Sequence, residues 1–188
     1  SPREDFYTGS TALADETPDE PFASESIDLP TYVLRQIAGD LTVEDRIVAV
    51  YILNHLDDDG FLTTTAFEVA RYFHRSPSDI EALIDRLKHC DPVGVCAKDP
   101  KDAMLTQLDA LAETTSVPEF AREVILSFLP KLSQHHYSEI ARELGATVAQ
   151  IQQVNAFIGE NLNPFPARAH WGDVRNPNSD DSQVFHQP

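Results

Sequence analysis

The chain has 188 residues, 41% of them hydrophobic, and a formal net charge of −17. That is enough apolar material for one large or two small domains, but no run approaches the roughly 18 apolar residues of a membrane helix and no charged-then-apolar leader opens the sequence. Residues 1–59 hold 14 acidic residues against 3 basic, and residues 60–188 hold 17 against 11, so no basic stripe exists to track phosphates, and basic protein surfaces are the expected partners.

Residues 1–28 combine eight carboxylates with Pro2, Pro18 and Pro21. Few apolar residues recur there at any period, so the segment is expected to be an acidic, disordered tether. Order is expected from Leu29, where Leu29, Val33, Leu34 and Ile37 predict a short helix stopped by Gly39. Thr42 reads as an N-cap with Asp45 three residues on, and Ile47, Val50, Tyr51, Leu53 and Leu56 continue at helical spacing to the turn Asp57-Asp58-Asp59-Gly60. Thr65 caps a helix carrying Phe67, Val69, Ala70 and Phe73. Ser76-Pro77-Ser78-Asp79 then starts a longer one, with Ile80, Leu83, Ile84 and Leu87 inward, that stops before Asp91-Pro92.

Further helices are expected from Lys98 to about Ala112, and from about Glu119 to Gln134 with Pro130 kinking or dividing the second. A short helix Ser138–Leu144 closes at Gly145. Thr147, with Gln150 at the capping-box position, opens the last, which Asn163-Pro164 ends together with the ordered pattern. The polar tail from Gly172 is expected to be loose.

Two stretches match at an offset of 71. Glu68-Val69-Ala70-Arg71 aligns with Glu139-Ile140-Ala141-Arg142, Ser76 with Thr147, Ile80 with Ile151 and Leu83 with Val154; after one insertion, Asp91-Pro92 matches Asn163-Pro164. Each stretch is a short helix, a tight turn, a cap, a longer helix and a proline stop, which is the helix-turn-helix pattern. Major-groove readout would fall to Gln150, Gln152, Gln153 and Asn155, but the helix from Val148 to Asn161 has no Lys or Arg. A packing module is therefore the preferred reading, and a DNA-binding regulator the alternative.

Nothing in the sequence assembles a catalytic site. With Gly60 at the sixth position of a calcium loop, His55 and Ala66 would occupy positions that need carboxylates. His135 and His136 are adjacent and point apart on a helix. Cys90 and Cys96 lack a partner pair at metal spacing and cannot form a disulfide scaffold, which fits a reducing cytoplasm. No enzyme, metal or cofactor is expected.

The most distinctive stretch is the connector from Cys90 to Asp99. Pro92 stops one helix, Gly94 permits a tight path, Val93 and Val95 anchor the loop, and Asp99 can cap the helix that follows. Here the chain resembles the core-binding region of the sigma-54 family of RNA polymerase sigma factors. Asp91-Pro92-Val93-Gly94-Val95-Cys96-Ala97-Lys98-Asp99-Pro100, followed by Gln107-Leu108, is similar to that family's Asp-Pro-x-Gly-Val-Gly-Ala-Arg-Asp-Leu run and its Gln-Leu helix. Asn54 to Leu62, Ile140 to Gly145 and Leu162 to Arg168 resemble three further segments in the same order. The departures are Cys96 for the second glycine of the run, Lys98 for its arginine, Pro100 for its leucine, and Ala167 for a later glycine.

The resemblance implies an all-α fold of two helical subdomains: a bundle over residues 29–117 and a three-helix, helix-turn-helix-like unit over 118–170. Residues 171–188 would lead toward a promoter-reading domain outside this chain. It implies binding to core RNA polymerase, weak or absent promoter contact by this segment, and, for a full-length factor, an ATP-driven activator. The candidate polymerase contacts are Asp57, Asp59 and Gly60 in the acidic turn, and Asp91, Pro92, Gly94, Val95, Lys98 and Asp99 in the connector.

Overall fold

A computed structural model describes residues 27–171; the expectations for residues 1–26 and 172–188 lie outside it. Among the described residues the regular structure is helical, apart from one isolated antiparallel bridge between Leu56 and Leu62. In chain order the helices are α1 (Leu29–Ile37), a 3-10 turn (Ala38–Asp40), α2 (Val43–Leu53), α3 (Ala66–Phe73), α4 (Pro77–Lys88), α5 (Pro100–Ala112), α6 (Ala121–Ser127), α7 (Leu129–Ser133), α8 (Tyr137–Leu144), α9 (Val148–Asn161) and α10 (Pro166–Trp171).

Local chemistry sets these boundaries. The Thr42, Thr65, Ser76, Asp99 and Thr147 side chains each accept a hydrogen bond from the backbone N–H three residues on, satisfying an amide that the helix itself leaves without a partner. At Thr147 the box is complete, since the Gln150 side chain reaches back to the cap's own N–H. Helix α5 starts at Pro100 rather than Lys98, because Asp99 takes the cap and Pro100 the first turn. The helix expected over residues 119–134 is divided, as Pro130 implied, into two that separate at Phe128. Pro130 has no N–H to continue the ladder, and Phe120, at φ 75, delays the start to Ala121.

Two large clusters form the core, with a small third one of Phe61, Ala97 and Ala103 between the acidic turn, the connector and α5. The first gathers α1 to α4 around Val33, Ile52, Val69, Ile80, Leu87, Val95 and Cys96, all at most 1% exposed. The second gathers α6 to α9 around Val124, Ile125, Ile140, Ile151 and Val154, all fully buried, and α5 contributes Met104 and Leu108 to it. Each such aliphatic side chain stabilises the fold by about 1.5–3 kcal/mol. Asn163-Pro164 does not end the order. The chain continues into α10 and returns across the molecule, burying Ala167 in the first cluster.

The repeat is longer than the helix-turn-helix pair. Helices α3–α4 and α8–α9 share a left-handed C-cap at His74 and at Gly145, a hydroxyl cap at Ser76 and at Thr147, and buried pairs Val69/Ile140, Ala70/Ala141, Ile80/Ile151 and Leu83/Val154. The same offset of 71 relates α1 to α5, with Asp28 and Asp99 as their N-caps and Gln36 matching Gln107. One residue further on, α2 matches α6 through the buried pairs Ala49/Ala121, Ile52/Val124 and Leu53/Ile125. Residues 28–92 and 99–164 are thus two versions of one unit, each closed by an Asp-Pro or Asn-Pro dipeptide.

Candidate functional site

The acidic turn, the connector and the segment after Asn163-Pro164 meet at one joint between the two units. The turn is held by its own first carboxylate. Asp57 Oδ1 accepts from the N–H groups of Asp59 and Phe61, both at 2.9 Å, while the Gly60 N–H donates to the Asp57 carbonyl. The turn and the connector are then stitched together: the Cys96 N–H donates to the Gly60 carbonyl and the Leu62 N–H to the Ala97 carbonyl, each at 2.9 Å.

Helix α10 closes over this pair. A Cβ placed on Gly60, at φ +82, would lie 2.6 Å from the Ala167 Cβ, so only a glycine lets that helix approach. Arg168 Nε sits 3.1 Å from Asp59 Oδ1, and its guanidinium stacks 3.9 Å above the Phe165 ring. Phe165 in turn packs on Phe61 with ring centroids 5.9 Å apart. Gly94, at φ +103, is enclosed by Ala103, Gln107 and Pro166, whose nearest atoms would be 3.0–3.1 Å from an added Cβ.

Two glutamines fix the proline dipeptides in the same way. Gln36 Nε2 donates to the Asp91 carbonyl at 2.6 Å, and its Oε1 accepts from the Asp91 N–H at 2.8 Å. Gln107 Nε2 donates to the Asn163 carbonyl at 2.8 Å, and its Oε1 accepts from the Asn163 N–H at 2.7 Å. Gln107 is 9% exposed and also donates to the Val93 carbonyl at 3.1 Å, so it ties the two connectors to each other. On the surface side, the Tyr32 hydroxyl donates to the Asp91 carboxylate, and that hydrogen bond holds the phenol above its usual range. Asp102 links the connector to α4 by accepting from the Lys98 N–H and pairing with Lys88 at 2.9 Å.

Residues 19–186 match the family model described as the sigma-54 factor core binding domain. The chain belongs to the sigma-54 core-binding domain family. It is 35% identical over 128 residues to the RNA polymerase sigma-54 factor of Escherichia coli and 30% identical over 128 residues to that of Salmonella typhimurium, covering 66% of this chain and 27% of each relative. It is 27% identical over 175 residues to the sigma-54 factor of Pseudomonas putida, covering 87% of this chain and 35% of that relative. The chain thus spans about a third of the length of the curated relatives it matches.

Of the residues singled out in this sigma-54 core-binding chain, Asp57, Asp91 and Lys98 are exposed, and Asp59, Pro92 and Asp99 are half-buried. Gly60, Gly94 and Val95 are buried and shape the joint from inside. Of the four candidate readout residues on α9, two are used internally, with Gln150 in the capping box and Asn155 Nδ2 donating to the Tyr137 hydroxyl at 3.2 Å, while Gln152 and Gln153 are exposed. The reading as an independent DNA-binding regulator finds no support in the family match. Gln36 and Tyr32 escaped the sequence reading, although the offset between Gln36 and Gln107 carries the signal, and Arg168 entered it only as the end of a family-like segment.

Cys96 stands at φ 70 where the family's run has its second glycine. Its thiol is buried and pushed up from an ordinary 9.0 to about 12, chiefly by burial. A neutral thiol with a raised folded-state pKa contributes stability that is intact below pH 9 and is lost as pH rises from there toward 12. The loss approaches roughly 1 kcal/mol per pH unit. Urea unfolding between pH 8 and 11 should therefore show a steeper alkaline decline in the wild type than in Cys96→Ala.

Proposed function

We propose that this chain binds core RNA polymerase without enzymatic activity of its own, as the core-binding segment of a sigma-54-type initiation factor acting in the bacterial cytoplasm. The family match across residues 19–186 is the observation that carries this reading. It is supported by the joint, where three of the four segments that resemble the family are packed into one rigid connection. On this reading the exposed Asp57, Asp91 and Lys98, with half-buried Asp59 and Asp99 beside them, contribute polar contacts at the joint, while Pro92, Gly60, Gly94 and Val95 hold its shape. The net charge of −17 fits a partner with basic rims and disfavours nucleic acid. Among the described residues no helix is long and apolar enough to cross a membrane. The test is retention of purified core polymerase by the immobilised chain at moderate salt. Stoichiometric capture is the expected result, and passage of the polymerase through the column overturns the proposal.

A further inference from the structure

Helix α2 is apolar on both sides. Val48, Ala49, Ile52 and Leu53 face the first cluster, while Val43, Ile47 and Val50 recur at positions i, i+4 and i+7 on the opposite face, 62%, 57% and 41% exposed. Tyr51, on the flank of that stripe, stacks on the 63%-exposed Tyr72 of α3 with ring centroids 4.7 Å apart, extending the apolar surface across to the next helix.

The second unit shows that the fold does not require this. At the exposed position matching Val50, α6 has Arg122, paired with Asp109; at the position matching Tyr72, α8 has Glu143, paired with Lys131 at 2.6 Å. Ile47 matches Glu119, two residues before α6 begins. One architecture thus carries charge on this face in one copy and large apolar side chains in the other, and scattered exposure alone does not produce a stripe of this kind.

We infer that the α2 stripe with Tyr51 and Tyr72 is a docking face for a protein surface that offers an apolar groove rimmed by lysines or arginines. This rests on the core-binding reading, and assigns the face to a subunit of the polymerase core. The partner's charge follows from the frame. Along the chain, residues 40–59 hold six carboxylates against the single Arg46; Asp40 and Glu44 lie beside the first turn of α2, while Asp45 pairs with Arg75 of the α3–α4 turn at 2.9 Å. A second copy would bring the same acidic frame against itself, and nucleic acid would be repelled.

The test measures the affinity of the full chain for core polymerase in the wild type and in Ile47→Glu, Val50→Arg and Val43→Asp. All three positions are exposed, and an aspartate in the first turn of a helix favours it. Each is expected to weaken binding at least tenfold while circular dichroism and the melting temperature stay as in the wild type. Leu126→Asn, which gives the second unit's exposed Leu126 the residue that Asn54 supplies in the first, is expected to bind within twofold of wild type. Wild-type binding with all three stripe variants unchanged overturns this inference alone. A wild type that fails to bind polymerase overturns the core-binding reading as well. Sedimentation of the wild type as a dimer that Ile47→Glu dissolves makes a second copy the occupant, and overturns the inference too.

Discussion

Gly60→Ala is expected to destabilise the protein by about 3 kcal/mol, lowering its melting temperature by roughly 10 °C. Two separate effects add. At φ +82 a residue with a Cβ is strained by about 1–2 kcal/mol. The new methyl would also lie 2.6 Å from the Ala167 Cβ, and overpacking of this kind costs about 1–3 kcal/mol. A thermodynamic cycle separates them. Ala167→Gly removes the facing methyl, so the double variant should be more stable than the sum of the two single changes allows, by about 1 kcal/mol. Strict additivity would mean that α10 does not press on the turn. Because α10 carries Arg168 to Asp59, the same change is also expected to loosen the acidic turn.

Gln107→Leu should cost about 2–4 kcal/mol, measured as a shift in the urea midpoint with an unchanged slope. Leucine fills similar space but deprives three partly buried backbone groups of their side-chain partner, the carbonyls of Val93 and Asn163 and the Asn163 N–H; a fully buried unsatisfied group costs about 1–3 kcal/mol, and less where water reaches it. Gln36→Leu removes the matching two-bond clamp from Asp91, but Gln36 is exposed and water can replace it, so about 1 kcal/mol is expected there. Equal costs at the two positions would show that burial and the third hydrogen bond to Val93 do not set the penalty. Gln107→Glu sharpens the comparison. It keeps the size and the acceptor for Asn163 N–H, yet sets an oxygen against two carbonyl oxygens, and should be no better than leucine.

Much of this molecule was legible in local chemistry. The caps at Thr42, Thr65, Ser76 and Thr147 mark helix starts because a hydroxyl three residues before an orphan N–H is a purely local arrangement. The offset between Val69-Ala70 and Ile140-Ala141 exposed half of the duplication, since buried positions must keep their size and spacing. The other half was hidden. Helices α2 and α6 match only after a one-residue shift, and their outer faces carry unlike residues because nothing in the fold constrains them.

The candidate site divides along the same line. The chain's order of residues by itself determined an all-helical protein, its capped boundaries, its proline-ended connectors and the segments that resemble the sigma-54 family. It did not disclose that Asp57 spends its carboxylate on its own turn, or that Gly60 and Gly94 are buried. Nor did it show that the chain continues past Pro164 to seat Ala167 against Gly60, 107 positions earlier. Those outcomes depend on contacts between residues far apart in the chain. A cap or a turn is decided by neighbours within four residues, whereas the joint exists only because two cores of defined shape bring three connectors to one place.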